Sequence, residues 1–189
     1  MKNTGRSQFK KYKTLINFFV IFFKIIPNFI LQFIWDSTSS FSQLPFILLR
    51  YLILNSRIKK CGDNIRIGTR VTIKGWEFLE IGENVSIHDN CFIDASGEIE
   101  LKNNISIAHN STLLSTTHTY NDGVPIKYNE IVKQKLIIQD DVWIGCGVRV
   151  LNNLEIKHRV IVAAGAVVNK SLDNNAIYGG IPAKKIKTI

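Results

Sequence analysis

The chain has 189 residues, 46% of them hydrophobic, which is enough for one domain with a buried core and an appendage. Its three cysteines, Cys61, Cys91 and Cys146, form no close pair, which argues against a disulfide framework and favours a reducing cytoplasm. The formal charge of +9 lies in residues 1–60, which hold ten basic residues and one acid, whereas residues 61–189 hold fourteen of each. The positive charge therefore belongs to the N-terminal segment.

Residues 1–60 contain two apolar runs, Leu15–Trp35 and Leu44–Leu54, flanked by basic residues. Lys24 and Pro27 near the middle of the first run disfavour a spanning helix, and without a small-residue cleavage site we expect no signal peptide. The pattern predicts two short helices that anchor the chain peripherally at a membrane interface, cap a repeat domain, or do both. Because the basic residues accompany Phe and Ile blocks, nucleic-acid binding is not expected.

A repeat of six residues begins at Cys61. It restarts at Ile81 and Leu101, each time after eighteen residues and two extra ones. Three hexads per coil with slack at one corner is what a triangular prism requires. Residues 119–137 then abandon the repeat, so we expect them to be extruded as a loop, and loops of this length are usually functional or disordered.

The repeat resumes with an aliphatic residue at every sixth position from Ile138 to Val168 and a second small or aliphatic residue four places after each. This period fits neither an α-helix nor an ordinary amphipathic strand, and is typical of a parallel β-helix. A β-sandwich would need turn clusters every 8–12 residues, and this run has none. The sequence therefore predicts an all-β solenoid domain over residues 61–189 with a helical appendage. Residues 173–189, which begin with a polar break, form its C-terminal tail.

Three motifs make the chain similar to a known family: Ser115–His118 at the start of the loop, Asp141–Gly145 after it, and Gly180–Lys184 near the end. With the repeat, roughly residues 61–187 resemble the hexapeptide-repeat acyltransferases, and especially the sugar and polysaccharide O-acetyltransferases such as the maltose and galactoside acetyltransferases. The resemblance implies a left-handed parallel β-helix, acetyl-CoA as donor, no metal, and a homotrimer with active sites between subunits.

His118 is the candidate catalytic base. Attack of a sugar hydroxyl on an acetyl thioester needs a base that works near neutral pH, which suits imidazole. His118 stands where the last regular hexad gives way to the loop, and its position matches the catalytic histidine of the family. His88 matches a polar residue that faces the acceptor sugar, and Asp94 is a second candidate substrate contact. His109 and His158 are interpreted as structural or surface residues.

The resemblance also implies a set of coenzyme contacts along an outer groove between coils. Cys146 matches a residue whose backbone N–H faces the thioester carbonyl, a natural oxyanion donor, and Trp143 matches an indole beside the thioester. The alternatives are a buried corner tryptophan and, for the terminal lysines, a solvated tail. The predicted coenzyme contacts are Trp143, Cys146, Ala164, Asn169, Lys170, Lys184 and Lys187.

The predicted function is an acetyl-CoA-dependent O-acetyltransferase acting on a glycan or its lipid-linked precursor at the cytoplasmic membrane face. An N-acetyltransferase acting on an amino sugar is the alternative within the same class. Two alternatives of other classes are a zinc carbonic anhydrase, which needs three converging histidines, and a non-catalytic scaffold that docks through residues 1–60.

Overall fold

Residues 5–189 are described in a computed structural model, so residues 1–4 of the predicted 1–60 segment lie outside the described part of the chain. The chain begins with three helices, α1 Gly5–Ile25, α2 Asn28–Thr38 and α3 Leu44–Arg57. Two were predicted, and the prediction was wrong for the run Leu15–Trp35, because Pro27 divides it. Proline lacks an N–H and its ring clashes with the preceding turn, so α1 ends before it and α2 starts after it.

Nineteen short strands follow, with 3₁₀ turns at Trp76–Phe78 and Ile126–Tyr128. In chain order the strands are β1 Lys60–Cys61, β2 Arg66–Ile67, β3 Thr72–Lys74, β4 Leu79–Ile81, β5 Val85–Ile87, β6 Phe92–Asp94, β7 Ile99–Leu101, β8 Ile105–Ile107, β9 Thr112–Leu114, β10 Thr116–His118, β11 Ile131–Lys133, β12 Leu136–Ile138, β13 Val142–Ile144, β14 Arg149–Val150, β15 Leu154–Ile156, β16 Val160–Val162, β17 Val167–Val168, β18 Ala176–Gly179 and β19 Lys184–Thr188.

The strands form the three walls of a triangular prism. Wall A contains β1, β4, β7, β12 and β15, wall B contains β2, β5, β8, β13, β16, β18 and β19, and wall C contains β3, β6, β9, β14 and β17. Each coil runs from A to B to C, and about six coils stack with parallel pairing. The predicted β-solenoid with a helical appendage is confirmed.

The hexad residues fill the prism. All twelve aliphatic or alanine positions predicted to point inward between Ile138 and Leu172 are buried. The 20-residue spacing of the first coils is also present, since Lys60 pairs with Glu80 and Glu80 with Glu100 on wall A. At the corner between walls A and B, Asn64, Asn84 and Asn104 adopt positive φ, which asparagine tolerates. Their side-chain amides hydrogen-bond from coil to coil at 2.8 and 2.9 Å.

The helices cover the open end of the first coil and supply hydrogen-bond donors to it. In later coils a backbone N–H of the preceding coil reaches each wall carbonyl, for example Gly68 N–H to Ile87 O at 2.7 Å. The equivalent carbonyl of the first coil, Ile67 O, accepts instead from Arg50 Nε at 3.0 Å, and Val71 O accepts from Trp35 Nε1 at 3.0 Å. The helical segment therefore takes the place of a missing coil.

The predicted C-terminal tail continues the solenoid more than its sequence indicates. Asn175 adopts the positive φ of the other A–B corners, and Ala176 and Tyr178 of β18 point inward as a sixth rung of wall B. β19 then folds back antiparallel on β18. The polar residues before β18 occupy a corner, where side chains face solvent, and so do not end the repeat.

No single described helix is long and apolar enough to cross a membrane. Lys11–Ile25 and Asn28–Thr38 reach that length and composition only as a pair, and the pair is bent by 119°.

Candidate functional site

The predicted loop is an ordered hairpin that leaves the prism between walls C and A of the third and fourth coils. β10 pairs antiparallel with β11, with His118 opposite Ile131. At the tip, the buried Asn129 amide donates to Val124 O and Pro125 O and accepts from the Asn121 N–H. The hairpin departs at Ser115 and the chain rejoins wall A at Leu136, so its ends differ by a few residues from the predicted 119–137.

Asp94 and Ser115 fix the base of this hairpin to the prism. The Ser115 hydroxyl, fully buried, donates to Asp94 O at 2.6 Å and accepts from Gly97 N–H at 2.8 Å. The Asp94 carboxylate accepts from Ser96 N–H at 3.1 Å and from the Thr116 hydroxyl at 3.0 Å. Burial opposes ionisation of Asp94, but these hydrogen bonds outweigh it and hold its pKa below the ordinary value.

Asp94 thus has both carboxylate oxygens engaged within the chain, one of them with a residue two places before His118. A role in holding the hairpin is visible, whereas its predicted role as a substrate contact stays a prediction. The sequence analysis placed Ser115 and Thr116 in a motif without assigning them a role, and it did not single out Asn129. The polar run Ser115–Thr117 directly before His118 is the signal that could have indicated hydroxyl groups able to hold a strand end.

His118 is the last residue of β10 and is exposed at the corner between walls C and A. Its backbone is held by β11, and within residues 5–189 no hydrogen bond engages its imidazole. The ring is therefore free to exchange a proton with a molecule at the hairpin base, which is the property required of a general base.

A second set of predicted residues lies along the corner between walls B and C. His88, His109, Cys146 and Ala164 occupy this corner in successive coils, where Gly147 N–H donates to His109 O at 3.0 Å and Gly165 N–H to Cys146 O at 2.8 Å. In the described chain, no acceptor engages the backbone N–H of Cys146 or of Ala164. Two N–H groups without an acceptor on neighbouring coils suit the carbonyl and amide oxygens of an extended thioester ligand.

Trp143 lies in the middle of wall B, between Ser106 and Ile161 on the adjacent strands. Its side chain is 53% exposed, so it is not a buried corner residue. It borders a groove of about 600 Å³ along wall B. The groove is lined by Asn84, Ser86, Asn104, Ile105, Ser106, Asp141, Val142, Trp143, Arg159, Ile161 and Ile189.

The remaining predicted coenzyme residues are exposed and lie elsewhere on the prism. Asn169 and Lys170 occupy the corner between walls C and A of the fifth coil, the same corner from which the His118 hairpin leaves lower down. Lys184 and Lys187 are on β19, opposite Gly179 and Ile177. The residues predicted for one coenzyme track therefore occupy two corners and one wall of a single copy.

The four histidines do not converge. His118 and His158 lie on different corners from His88 and His109, and among residues 5–189 no group of three or more His, Cys, Asp or Glu side chains is arranged to hold a metal ion. The arrangement required for a zinc carbonic anhydrase is not present in this part of the chain.

Comparisons with known proteins show what the chain resembles. No protein-family model matches it. It is 33% identical over 117 residues to a Schizosaccharomyces pombe protein that carries the name acetyltransferase, covering 59% of this chain and 53% of that one. It is 25% identical over 140 residues to the galactoside O-acetyltransferase of Escherichia coli K12, covering 74% and 68%.

Among solved structures, the fold matches a hexapeptide-repeat-containing acetyltransferase of Vibrio cholerae in complex with acetyl coenzyme A. The TM-score is 0.70 at 22% identity, over 74% of this chain and 75% of that one. The predicted resemblance is confirmed, and the predicted acyltransferase class and acetyl-CoA donor agree with these names. The chain spans about half the length of its S. pombe relative.

Proposed function

We propose that this chain, whose homologues and structural neighbours are hexapeptide-repeat acetyltransferases, transfers an acetyl group from acetyl-CoA to a hydroxyl of a sugar. The observation that carries the proposal is the position of His118. An exposed imidazole stands at the end of a strand whose base is fixed by Asp94, Ser115 and Thr116.

In this reaction His118 takes the proton of the acceptor hydroxyl. The hydroxyl oxygen forms a bond to the thioester carbonyl carbon, and the carbonyl electron pair moves onto oxygen. When the carbonyl re-forms, the carbon–sulfur bond breaks and the proton passes from the imidazolium to the departing thiolate. General-base assistance of this kind contributes about 10²–10⁴-fold to a rate.

The free N–H of Cys146 supports a role in stabilising the oxyanion. A backbone N–H is already oriented when charge develops on the oxygen, so little reorganisation is needed. The exposed indole of Trp143 and the cations of Lys170, Lys184 and Lys187 suit an extended, phosphorylated thioester as packing surface and point charges.

The assembly proposed for this activity is a homotrimer. In one copy, His118 leaves from the corner between walls C and A, whereas Cys146 and Ala164 lie at the corner between walls B and C. A second copy that brings its B–C corner beside the hairpin would place base and oxyanion donors in one site. The site is therefore proposed to form between copies.

The proposed acceptor is a polysaccharide or a lipid-linked glycan precursor in the cytoplasm. The hairpin that carries His118 extends from the prism, and the His118 imidazole is exposed. A catalytic histidine in this position is accessible to a sugar that is part of a larger molecule. His88, exposed on the second coil, is proposed as one acceptor contact.

The test is to incubate the protein with acetyl-CoA and a panel of sugars and cell-envelope glycan fractions while following release of free thiol. His118→Ala should lower turnover with the true acceptor by at least about 100-fold. The matched control is His158→Ala, a histidine that is also exposed but on another corner, which should leave turnover unchanged. Unchanged turnover in His118→Ala would require a different base, and acetylation of an amino sugar instead of a hydroxyl would identify the N-acetyltransferase alternative.

A further inference from the structure

A row of apolar side chains follows the outer side of α1 and α2, the side turned away from α3 and the prism. We call this row the outer face, and each of its members is more than half exposed. The members are Leu15, Phe18, Phe22, Ile25, Phe29 and Phe33. We propose that the outer face docks on the surface of an anionic lipid bilayer, with α1 and α2 lying in the interface.

The outer face is not used to build the fold. The opposite side of the two helices is buried against α3 and the first coil through Ile16, Val20, Leu31 and Trp35. α1 and α2 therefore have two apolar sides, of which only one has a partner in the described chain. Exposed apolar patches of this extent on a protein surface mark interaction sites.

The chemistry of the outer face fits a lipid surface. Four of its six members are phenylalanine, whose rings insert at the boundary between headgroups and acyl chains. α1 contains no acidic residue, and the only acid of α2, Asp36, is at its C-terminal end beside Gln32. Asp36, three residues after Phe33, is therefore the one acidic side chain of α1 and α2 beside the outer face, and it lies at the end of the row.

The positive charge available to lipid is smaller than the sequence indicates. Arg50 is buried, Arg57 stacks on Trp76 at 4.5 Å, and Lys13 and Lys59 form ion pairs with Asp63 and Glu80. Lys11, Lys24 and Lys60 remain exposed on the described chain. Burial of apolar side chains is therefore the main attraction, and the cations select anionic lipid.

These cations also decide between a bilayer and a second copy as the occupant. Two copies joined through their outer faces would bring two α1 helices together, each of which has an excess of basic residues and no acidic residue. Like charges brought together in one interface repel each other. An anionic bilayer pairs the same cations and covers the same rings.

The bend between the helices favours lying on the bilayer over crossing it. The two axes meet at 119°, and the inner sides of both helices are held by protein. A crossing pair would have to place α3 and the first coil inside the hydrocarbon. Docking through the outer face leaves all of these contacts in place.

The experiment is sedimentation of the full chain with vesicles of phosphatidylcholine containing about one third phosphatidylglycerol, and with vesicles of phosphatidylcholine alone. The wild type should sediment with the anionic vesicles and less with the neutral ones. The variant F22S/F29S/F33S should lose at least about tenfold in partitioning. Its matched control, Y120S/I126S/Y128S, removes three equally exposed side chains from the hairpin and should partition as the wild type does.

A second measurement does not depend on the triple variant folding. Phe22→Trp places an indole on the outer face, and lipids brominated near the headgroup should quench its added fluorescence more than lipids brominated near the chain end. Three outcomes overturn the proposal: failure of the wild type to bind anionic vesicles, equal binding by F22S/F29S/F33S, or stronger quenching by the deep bromines. Loss of self-association in F22S/F29S/F33S without vesicle binding would assign the face to a second copy instead.

Discussion

The helical segment and the solenoid bury apolar side chains by different rules. In the solenoid, every sixth residue points inward, so Ile144 and Val162 are fully buried as their positions require. In α1, Val20 is buried and Phe22 is exposed, although both belong to one apolar run. In a repeat of six residues, the position of a residue in the hexad decides whether its side chain points inward. In a helix that is apolar on two sides, the side that becomes buried depends on which element packs against it.

The two regions also satisfy their backbone differently. Along the walls the backbone of each coil hydrogen-bonds to the backbone of the next, and side chains serve backbone groups at corners, as Asn103 does for Glu83 N–H. At the first coil, Arg50 and Trp35 take over with side-chain donors. Inside the repeat, the neighbouring coil satisfies the backbone groups of each wall. At the end of the repeat no neighbouring coil exists, so particular side chains have to supply those hydrogen bonds.

The largest expected effect is in the solenoid core. Ile144→Ala removes a fully buried side chain between Ile107 and Val162 on adjacent strands and should cost about 2–5 kcal/mol of unfolding free energy. Urea denaturation followed by circular dichroism measures it. Ile186→Ala, on the exposed last strand, is the control and should change stability by less than about 0.5 kcal/mol. An equal loss of unfolding free energy in the two variants would show that the inward position of Ile144 does not contribute to stability.

The next effect tests whether the helices replace a coil. Arg50→Met keeps most of the buried volume but removes the donors to Ile67 O and Phe41 O, and should cost about 1–3 kcal/mol because buried carbonyls lose their partners. Lys60→Met, an exposed cation beyond α3, is the control. If Arg50→Met unfolds at the same urea concentration as the wild type, side-chain capping of the first coil contributes nothing.

A smaller effect is expected at the base of the hairpin. Asp94→Asn weakens the bonds from Ser96 and Thr116 and should cost about 1 kcal/mol at neutral pH. The pKa of Asp94 is lower in the folded chain than its ordinary value of about 3.9. Its contribution to the free energy of unfolding is therefore fully present above about pH 3.9 and is lost as the pH falls through the pKa of the folded state. The difference between wild type and variant should therefore shrink in urea titrations at acid pH.

The same variant separates positioning from simple stability. A displaced hairpin should lower kcat about tenfold while leaving the KM for acetyl-CoA near its wild-type value. Asp122→Asn, at the exposed hairpin tip, is the control for charge removal without loss of the base contacts. An unchanged kcat in Asp94→Asn would mean that Ser115 alone suffices to hold the strand.

The smallest stability effect is expected on the outer face. Phe33→Ser should change unfolding free energy by less than about 0.5 kcal/mol, since the ring is exposed in the folded chain. Leu31→Ser, two residues away on the same helix but buried, should cost several times more. Thermal melts of the two variants, without vesicles, distinguish the two sides of α2. A large loss in Phe33→Ser would place this ring inside the fold.

Much of the solenoid was predictable because its repeat is local. Counting hexads from Cys61 gives the coils, the inward residues and the position of the extruded hairpin. The same count, taken three hexads at a time, separates the corner that holds Cys146 from the corner that holds Lys170. The residues predicted to contact the coenzyme therefore lie apart in one copy, and their role as coenzyme contacts stays a prediction.

The contacts at the hairpin base were not predictable from spacing. Asp94 and Thr116 lie on consecutive coils, but whether a carboxylate turns toward a hydroxyl depends on side-chain geometry at a corner. The use of Arg50, Arg57, Lys13 and Lys59 within the chain was equally hidden. The net charge of the segment follows from the sequence, whereas the tertiary structure shows which charged side chains are already paired or buried.

By itself the sequence determined the repeat, its inward side chains, the hairpin with His118 and the basic, apolar character of the helices. The reason is that a period of six fixes side-chain direction residue by residue. The tertiary structure decided which side of α1 and α2 is buried, which side chains complete the first coil, and on which corner each candidate site residue lies. These depend on how separate elements pack, because an apolar helix has no preferred side until a partner covers one.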